Sequence, residues 1–196
     1  TLVIDVETKK SFAEVGGERN IRQLGISVAG VYSYEKNQFL ALEEHQLDTL
    51  EALVKNAGHI IGFNINHFDI PVMEPYFSEG VFSHVTVTDI YADAVQFLGH
   101  RVGLGALGNA TLGVAKSGNG LEALQWFREG KMDLIKTYCL DDVKITRDLY
   151  EYGKKHGHVL FESFMDYKIH SIPVSWEGSG QAPVALLQNA FNDRRR

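Results

Sequence analysis

The chain has 196 residues, of which 44% are hydrophobic and 22% charged, a balance typical of one globular domain with its own core. A formal net charge of −6 argues against a broadly basic surface that grips nucleic acid by charge alone. No apolar run approaches the roughly 20 residues of a membrane helix, so no membrane association is predicted. The single cysteine, Cys139, has no partner for an internal disulfide, which favours a reducing, cytoplasmic location.

The first half of the chain has the pattern of a strand-rich sheet. TLVIDV at 1–6 predicts a buried strand, and residues 21–34 and 38–42 predict a hairpin of two strands. Apolar residues at helical spacing predict a helix over 47–58. Three further elements are predicted after it: a strand over 59–63, a short helix over 69–80 and a strand over 85–89.

The second half is predominantly helical. Two short helices over 104–114 and 120–130 flank a Gly-rich loop, and a long helix covers 133–157. One face of the long helix is predicted to carry Leu134, Tyr138, Asp142, Ile145 and Leu149. A closing hairpin and a short tail helix complete the pattern, which indicates an α/β fold with a mixed sheet flanked by helices.

Two carboxylates, Asp5 and Glu7, lie within the first predicted strand. Residues i and i+2 of a strand share a face, so both side chains project together while Ile4 and Val6 point to the other side. Neighbouring carboxylates in a dry site repel each other unless a cation lies between them, and their oxygens favour Mg²⁺ or Mn²⁺. The alternative is an exposed strand end whose two acids are solvated.

A second group of polar residues follows the apolar strand over 59–63. Asn64 comes directly after that strand, and Asp69 stands where a helix is predicted to begin. An aspartate at that position is a good helix N-cap, which is the structural alternative to a metal ligand.

Tyr138 and Asp142 are four residues apart on the long helix and therefore share a face. The face is otherwise apolar, where an isolated aspartate would have a large desolvation cost. A metal held jointly with Asp5 would make Asp142 tolerable. A buried aromatic core residue is the alternative for Tyr138, and Cys139 is predicted to be a small packing residue.

The order D-x-E, N-x3-F-D, Y-x3-D resembles that of the DEDD superfamily of ribonuclease H-like 3′–5′ exonucleases. The histidine branch of this superfamily would need a histidine at position 137, where the chain has Thr137, so the resemblance is to the tyrosine branch. The residues that match the three motifs are Asp5 and Glu7, then Asn64, Phe68 and Asp69, then Tyr138 and Asp142.

More closely, residues 116–130 and 138–146 resemble a ribonuclease H-like domain family found alone or fused to helicases. The resemblance implies a ribonuclease H-like exonuclease domain over 1–176, and residues 177–196 are expected to form a tail that is a short helix or partly disordered. It also implies a catalytic set in which two divalent cations, Mg²⁺ or Mn²⁺, are held by carboxylates and a tyrosine aligns the attacking water. That set is Asp5, Glu7, Asp69 and Asp142 as metal ligands, with Tyr138.

Substrate contacts are expected from Asn64, Phe68 and Lys116. Surface solvation is the alternative for Lys116, and a core position is the alternative for Phe68. Asp89 ends a predicted strand and is expected to cap the next helix.

The resemblance implies a metal-dependent 3′–5′ exonuclease that acts on single-stranded DNA, with a helicase domain or subunit as its partner. An exoribonuclease, a related endonuclease and a non-catalytic nucleic-acid-binding module on the same fold stay open as alternatives. The complete set of acids argues against the last, because buried acids without a cation destabilise a fold.

Overall fold

The computed structural model describes residues 1–114, 120–163 and 167–176. Lys116 and the predicted tail helix lie outside the described residues. The strands are β1 (Leu2–Thr8), β2 (Ile26–Ser33), β3 (Gln38–Glu43), β4 (His59–Gly62), β5 (Thr86–Asp89), β6 (His158–Ser163) and β7 (Lys168–Pro173). The α-helices are α1 (Leu47–Lys55), α2 (Asp69–Met73), α3 (Ile90–Leu98), α4 (Leu104–Leu112), α5 (Gly120–Arg128) and α6 (Met132–His156).

The main sheet has five strands in the order β3-β2-β1-β4-β5, with β1 at its centre. β1 pairs antiparallel with β2 and parallel with β4, and β4 pairs parallel with β5. The sheet is therefore mixed, as the sequence predicts. Strands β6 and β7 form a separate antiparallel hairpin.

The alternation of β1 divides the core into two layers. Ile4 and Val6 pack into a cluster with α1, whereas Val3 belongs to a second cluster that includes residues of α6. Asp5 and Glu7 share the side of Val3, because side chains two residues apart in a strand point the same way. The two acids of β1 therefore face the long helix.

Helix α6 lies close to the sheet at a glycine of β2. A Cβ placed on Gly30 would stand 2.8 Å from the Sγ of Cys139 and 2.8 Å from Val143. Only a residue without a side chain allows α6 this approach. The contact sets how far the helix residues stand from β1.

The prediction that Leu134 belongs to the inner face of α6 is wrong. Leu134 is 46% exposed, and its neighbour Ile135 is fully buried instead. Steps of three and four residues from Ile135 reach Tyr138, Asp142 and Ile145, whereas Leu134 is rotated about 100° from that line. The other predicted positions on this face are buried.

The predicted strand over 21–34 begins too early. Residues Glu18–Gln23 form a 3₁₀-helix, and β2 starts at Ile26 after Gly25, whose φ of +68° breaks the extended backbone. The predicted helix over 69–80 is also shorter, because α2 gives way to a 3₁₀ turn over Glu74–Tyr76. Within the three described ranges, no helix is both long enough and apolar enough to cross a membrane.

Candidate active site

Three carboxylates from two elements converge at the centre of the sheet. Asp5 and Glu7 come from β1, and Asp142 comes from α6, which packs across that strand. One carboxylate oxygen from each of the three lies within 4.8 Å of those of the other two. Glu7 is only 9% exposed, so the alternative of an exposed strand end with solvated acids does not describe it, and Asp142 is 3% exposed.

Asp69 does not occupy the helix N-cap position, which is the structural alternative to a metal ligand that the sequence predicts for it. The cap position of α2 is Phe68, and Asp69 is the first residue inside the helix. Its Oδ1 accepts a hydrogen bond of 2.9 Å from the backbone N–H of Val6, between the two acids of β1. This contact holds the buried Asp69 carboxylate against the strand.

The surroundings of Asp69 favour its protonated form. Burial raises its pKa well above the ordinary range of an aspartic acid, and the negative charge of Asp5 raises it further. The hydrogen bond from Val6 acts in the opposite direction but does not outweigh them. Asp69 is outside the group of three converging carboxylates, but it lines the same cleft.

Tyr138 is 3% exposed and packs edge-on against Trp126, with ring centroids 6.0 Å apart. Burial raises the pKa of its hydroxyl far above the ordinary range, and the charges of Asp142, Glu7 and Asp5 raise it further. Its hydroxyl also forms a hydrogen bond with Asp142. Tyr138 is therefore a neutral hydrogen-bonding group and cannot serve as a base near neutral pH.

Cys139 packs in the core, as predicted, and also contacts the acids. Its Sγ lies 3.4 Å from the backbone oxygen of Asp5 and 3.5 Å from the Asp5 Oδ2. Burial, followed by the charges of Asp5 and Glu7, raises the pKa of the thiol well above its ordinary value. The group is a neutral thiol that contacts the Asp5 side chain.

A cleft of about 500 Å³ opens over the acids. The structure brings the seven motif residues together in its lining. Several other lining residues lie outside the three acidic motifs, and the sequence does not assign them to the site. These are Lys10, Ser11, Ala13, Leu24, Phe63, Leu121 and Leu124, and Phe12 lies beside Phe68 with ring centroids 6.1 Å apart.

Asp89 caps α3, as predicted, by accepting a hydrogen bond from the Ala92 N–H at 3.3 Å. It also accepts hydrogen bonds from the backbone N–H groups of Asn64 at 2.8 Å and Asn66 at 3.1 Å. Asn64 adopts a φ of +63°, which asparagine tolerates better than most residues. Asp89 therefore fixes the loop between β4 and α2 from which Asp69 projects.

Asp89→Ala is expected to lower both stability and activity. The substitution leaves three partly buried backbone N–H groups without their carboxylate, and an unsatisfied donor costs up to roughly 1–3 kcal/mol where it is fully buried. Urea unfolding measures the stability loss, and the KM for substrate and the affinity for Mn²⁺ report the position of the loop. Asp93→Ala on α3 is the control, since Asp93 contacts Trp176 and not this loop. Equal losses of substrate affinity and Mn²⁺ affinity in both variants would contradict a specific role of Asp89 in the loop.

The chemistry of this donor set fits divalent cations. The converging groups are all carboxylates, the ligands preferred by Mg²⁺ and Mn²⁺, and the three come within a few ångströms of one another. A cation held there would favour the ionised form of Asp69, whose pKa is raised first by burial and then by the charge of Asp5. Asp5, Glu7 and Asp142 would hold such a cation directly, with Asp69 beside them.

The metal-free protein is expected to lose stability as the pH rises above about 4, the ordinary pKa of an aspartic acid. Below that pH, Asp69 is protonated in both the folded and the unfolded chain. As the pH rises towards the raised folded-state pKa, the unfolded chain releases the proton first and is favoured. Thermal melts in EDTA between about pH 4 and pH 8 measure this effect.

Asp69→Asn is the control for this pH series, because it removes the titrating group and nearly keeps its shape. Its melting temperature should depend less on pH than that of the wild type. Added Mg²⁺ should raise the wild-type melting temperature most at the upper end of the range. A wild-type melting temperature in EDTA that rises with pH relative to the variant would contradict the assignment.

No protein-family model matches the chain, and no curated protein matches it. Among solved structures, the crystal structure of Trypanosoma brucei RNase D is similar, with a TM-score of 0.55 and 15% sequence identity. The match covers 77% of this chain and 56% of that chain, so this chain spans little more than half of that protein. The likeness supports the ribonuclease H-like α/β fold that the motif order implies.

Proposed function

We propose that the chain is a metal-dependent 3′–5′ exonuclease that hydrolyses single-stranded DNA in a cleft built by β1, α2 and α6. The observation that carries the proposal is the convergence of Asp5, Glu7 and Asp142 within 4.8 Å, beside a neutral buried tyrosine. The same arrangement is what the DEDD motif order implies. The proposed domain is residues 1–176, which function in the cytoplasm.

The four carboxylates and Tyr138 have distinct parts in the proposed reaction. Two divalent cations would lower the pKa of the attacking water and stabilise charge on the departing 3′ oxygen. Asp5, Glu7 and Asp142 supply the converging carboxylates, and the Val6 N–H fixes the orientation of Asp69. Tyr138 keeps its proton and can orient a water by its hydroxyl, while its ring is fixed against Trp126.

The position of Phe68 supports the expectation that it contacts substrate. Its ring lies at the cleft beside Phe12, where an unpaired base can stack on an aromatic surface. Asn64 lines the cleft from the end of β4. Its backbone N–H is bound to Asp89, which leaves its side chain as the group offered to a substrate.

RNA is the second candidate substrate. One observation favours it, namely that the similar solved structure is that of an RNase D, which is by its name a ribonuclease. A helicase partner depends only on the resemblance of residues 116–130 and 138–146 to a family with helicase fusions.

A cleavage time course on 5′-labelled oligonucleotides tests the proposal. Single- and double-stranded DNA and RNA are incubated with Mg²⁺, Mn²⁺ or EDTA. We expect a ladder that shortens from the 3′ end, requires metal and is strongest on single-stranded DNA. A ladder confined to RNA would assign the exoribonuclease. Binding without cleavage, in the presence of either metal, would instead favour a non-catalytic module.

A further inference from the structure

The cleft over the acids has one cationic side chain in its described lining, Lys10. Four carboxylates line the same cleft, but none of them forms an ion pair with Lys10. Nucleic acid binding draws much of its affinity from lysine and arginine contacts with phosphates. A cation at the edge of an otherwise acidic cleft is therefore the natural contact for a polyanionic strand.

Three other cations near this region already form ion pairs. Lys9 pairs with Glu44, and Arg128 pairs with Glu14. Lys136 pairs with Glu43 at 2.6 Å. Lys10 differs from these neighbours because, within the part of the chain described, it is exposed and forms no ion pair. Its charge is available to a ligand at no cost of breaking an existing pair.

The backbone that carries Lys10 is fixed to the sheet. Its N–H donates to the carbonyl of Leu24 at 3.1 Å, and its carbonyl accepts from the Thr8 hydroxyl at 3.0 Å. The next residue, Ser11, donates its N–H to the Glu14 carboxylate at 2.7 Å. The side chain therefore extends from a defined point near the end of β1.

We propose that Lys10 binds a non-scissile phosphate of the substrate strand, on the 5′ side of the bond that is cleaved. The inference rests on the proposed function, since it takes the ligand to be a nucleic acid strand. Three residues span at most about 11 Å, so the Cα of Lys10 lies within that distance of the Cα of Glu7. Bound divalent cations would repel the ammonium from the acids and leave it to the adjoining phosphate.

A binding experiment tests this contact without requiring cleavage. A 5′-fluorescein-labelled oligothymidine is titrated, in Mg²⁺ and across a salt series, with the full chain carrying Asp142→Ala. Adding Lys10→Met should weaken binding about tenfold, the effect of losing one phosphate contact. It should also reduce the slope of log affinity against log salt by about 0.7, the value for one phosphate contact on a single strand. Lys9→Met, the same change one residue away, should leave the slope unchanged.

Uncharged methylphosphonate linkages in the oligonucleotide identify the phosphate that contacts Lys10. A set of oligothymidines, each with one methylphosphonate, is compared on the Asp142→Ala protein with and without Lys10→Met. One linkage should weaken binding in the presence of Lys10 and have no further effect in its absence. Additive effects of Lys10→Met and every methylphosphonate, or an unchanged salt slope, would overturn the proposal.

The two proposals fail in different ways. A protein that binds the strand through Lys10 but leaves it intact in Mg²⁺ and Mn²⁺ keeps this inference and loses the nuclease function. A protein that cleaves normally and shows no change of salt slope in Lys10→Met loses this inference alone. Absence of strand binding in the Asp142→Ala protein and in the wild type overturns both.

Discussion

Asp142→Asn is expected to reduce cleavage on the order of a thousandfold, because it removes one of the three carboxylates proposed to hold the metal. The same change should raise the melting temperature of the metal-free protein. Asp142 is 3% exposed and belongs to a group of three carboxylates within 4.8 Å, whose mutual repulsion the asparagine relieves. Loss of activity combined with a gain of metal-free stability distinguishes a metal ligand from a structural aspartate.

Asp141→Asn provides the control for this experiment. It makes the same chemical change one residue earlier on α6, outside the group of converging carboxylates. Cleavage rates and melts in EDTA and in Mg²⁺ are measured for both variants. The stabilisation by Mg²⁺ should be strong in Asp141→Asn and weak in Asp142→Asn. Cleavage at the wild-type rate by Asp142→Asn, or a lower melting temperature in EDTA, would contradict its role as a ligand.

The sequence predicts the parts of the site that follow from a single element. Strand alternation places Asp5 and Glu7 on one face of β1, and helical spacing places Tyr138 and Asp142 on one face of α6. Both expectations agree with the structure. Leu134 shows the limit of helical spacing as a predictor, because Leu134 and Ile135 are both apolar and the spacing alone does not decide which of them is buried.

The sequence does not predict contacts between distant segments. A helix N-cap was the natural alternative for Asp69, yet its carboxylate accepts a hydrogen bond from Val6, 63 residues earlier. Asp89 was predicted as a cap and also fixes the loop after β4. Lys10 follows Glu7 by only three residues, but its place in the cleft becomes clear only when the ion pairs of its neighbours are known.

Tyr138→Phe is expected to slow cleavage about a hundredfold while leaving metal affinity nearly unchanged, since misplacing a reacting group by about 1 Å can cost about a hundredfold in rate. The phenylalanine keeps the edge-on contact with Trp126 and loses only the hydroxyl. That hydroxyl forms a hydrogen bond with Asp142 in the structure. Turnover with saturating substrate, together with Mn²⁺ titration, separates the effect on rate from the effect on metal binding.

Tyr150→Phe on the same helix is the matched control. Tyr150 is also 3% exposed, but it lies eight residues after Asp142, about 12 Å further along α6, and stacks on Trp176. It should cleave at the wild-type rate. The pKa of Tyr138 is raised above its ordinary value near 10. Ionisation of this residue should therefore not shape the pH–rate profile of the wild type or of Tyr150→Phe between about pH 6 and pH 9. Equal turnover in Tyr138→Phe and the wild type would remove the hydroxyl from the mechanism, and the tyrosine would then act only by packing beside the acids.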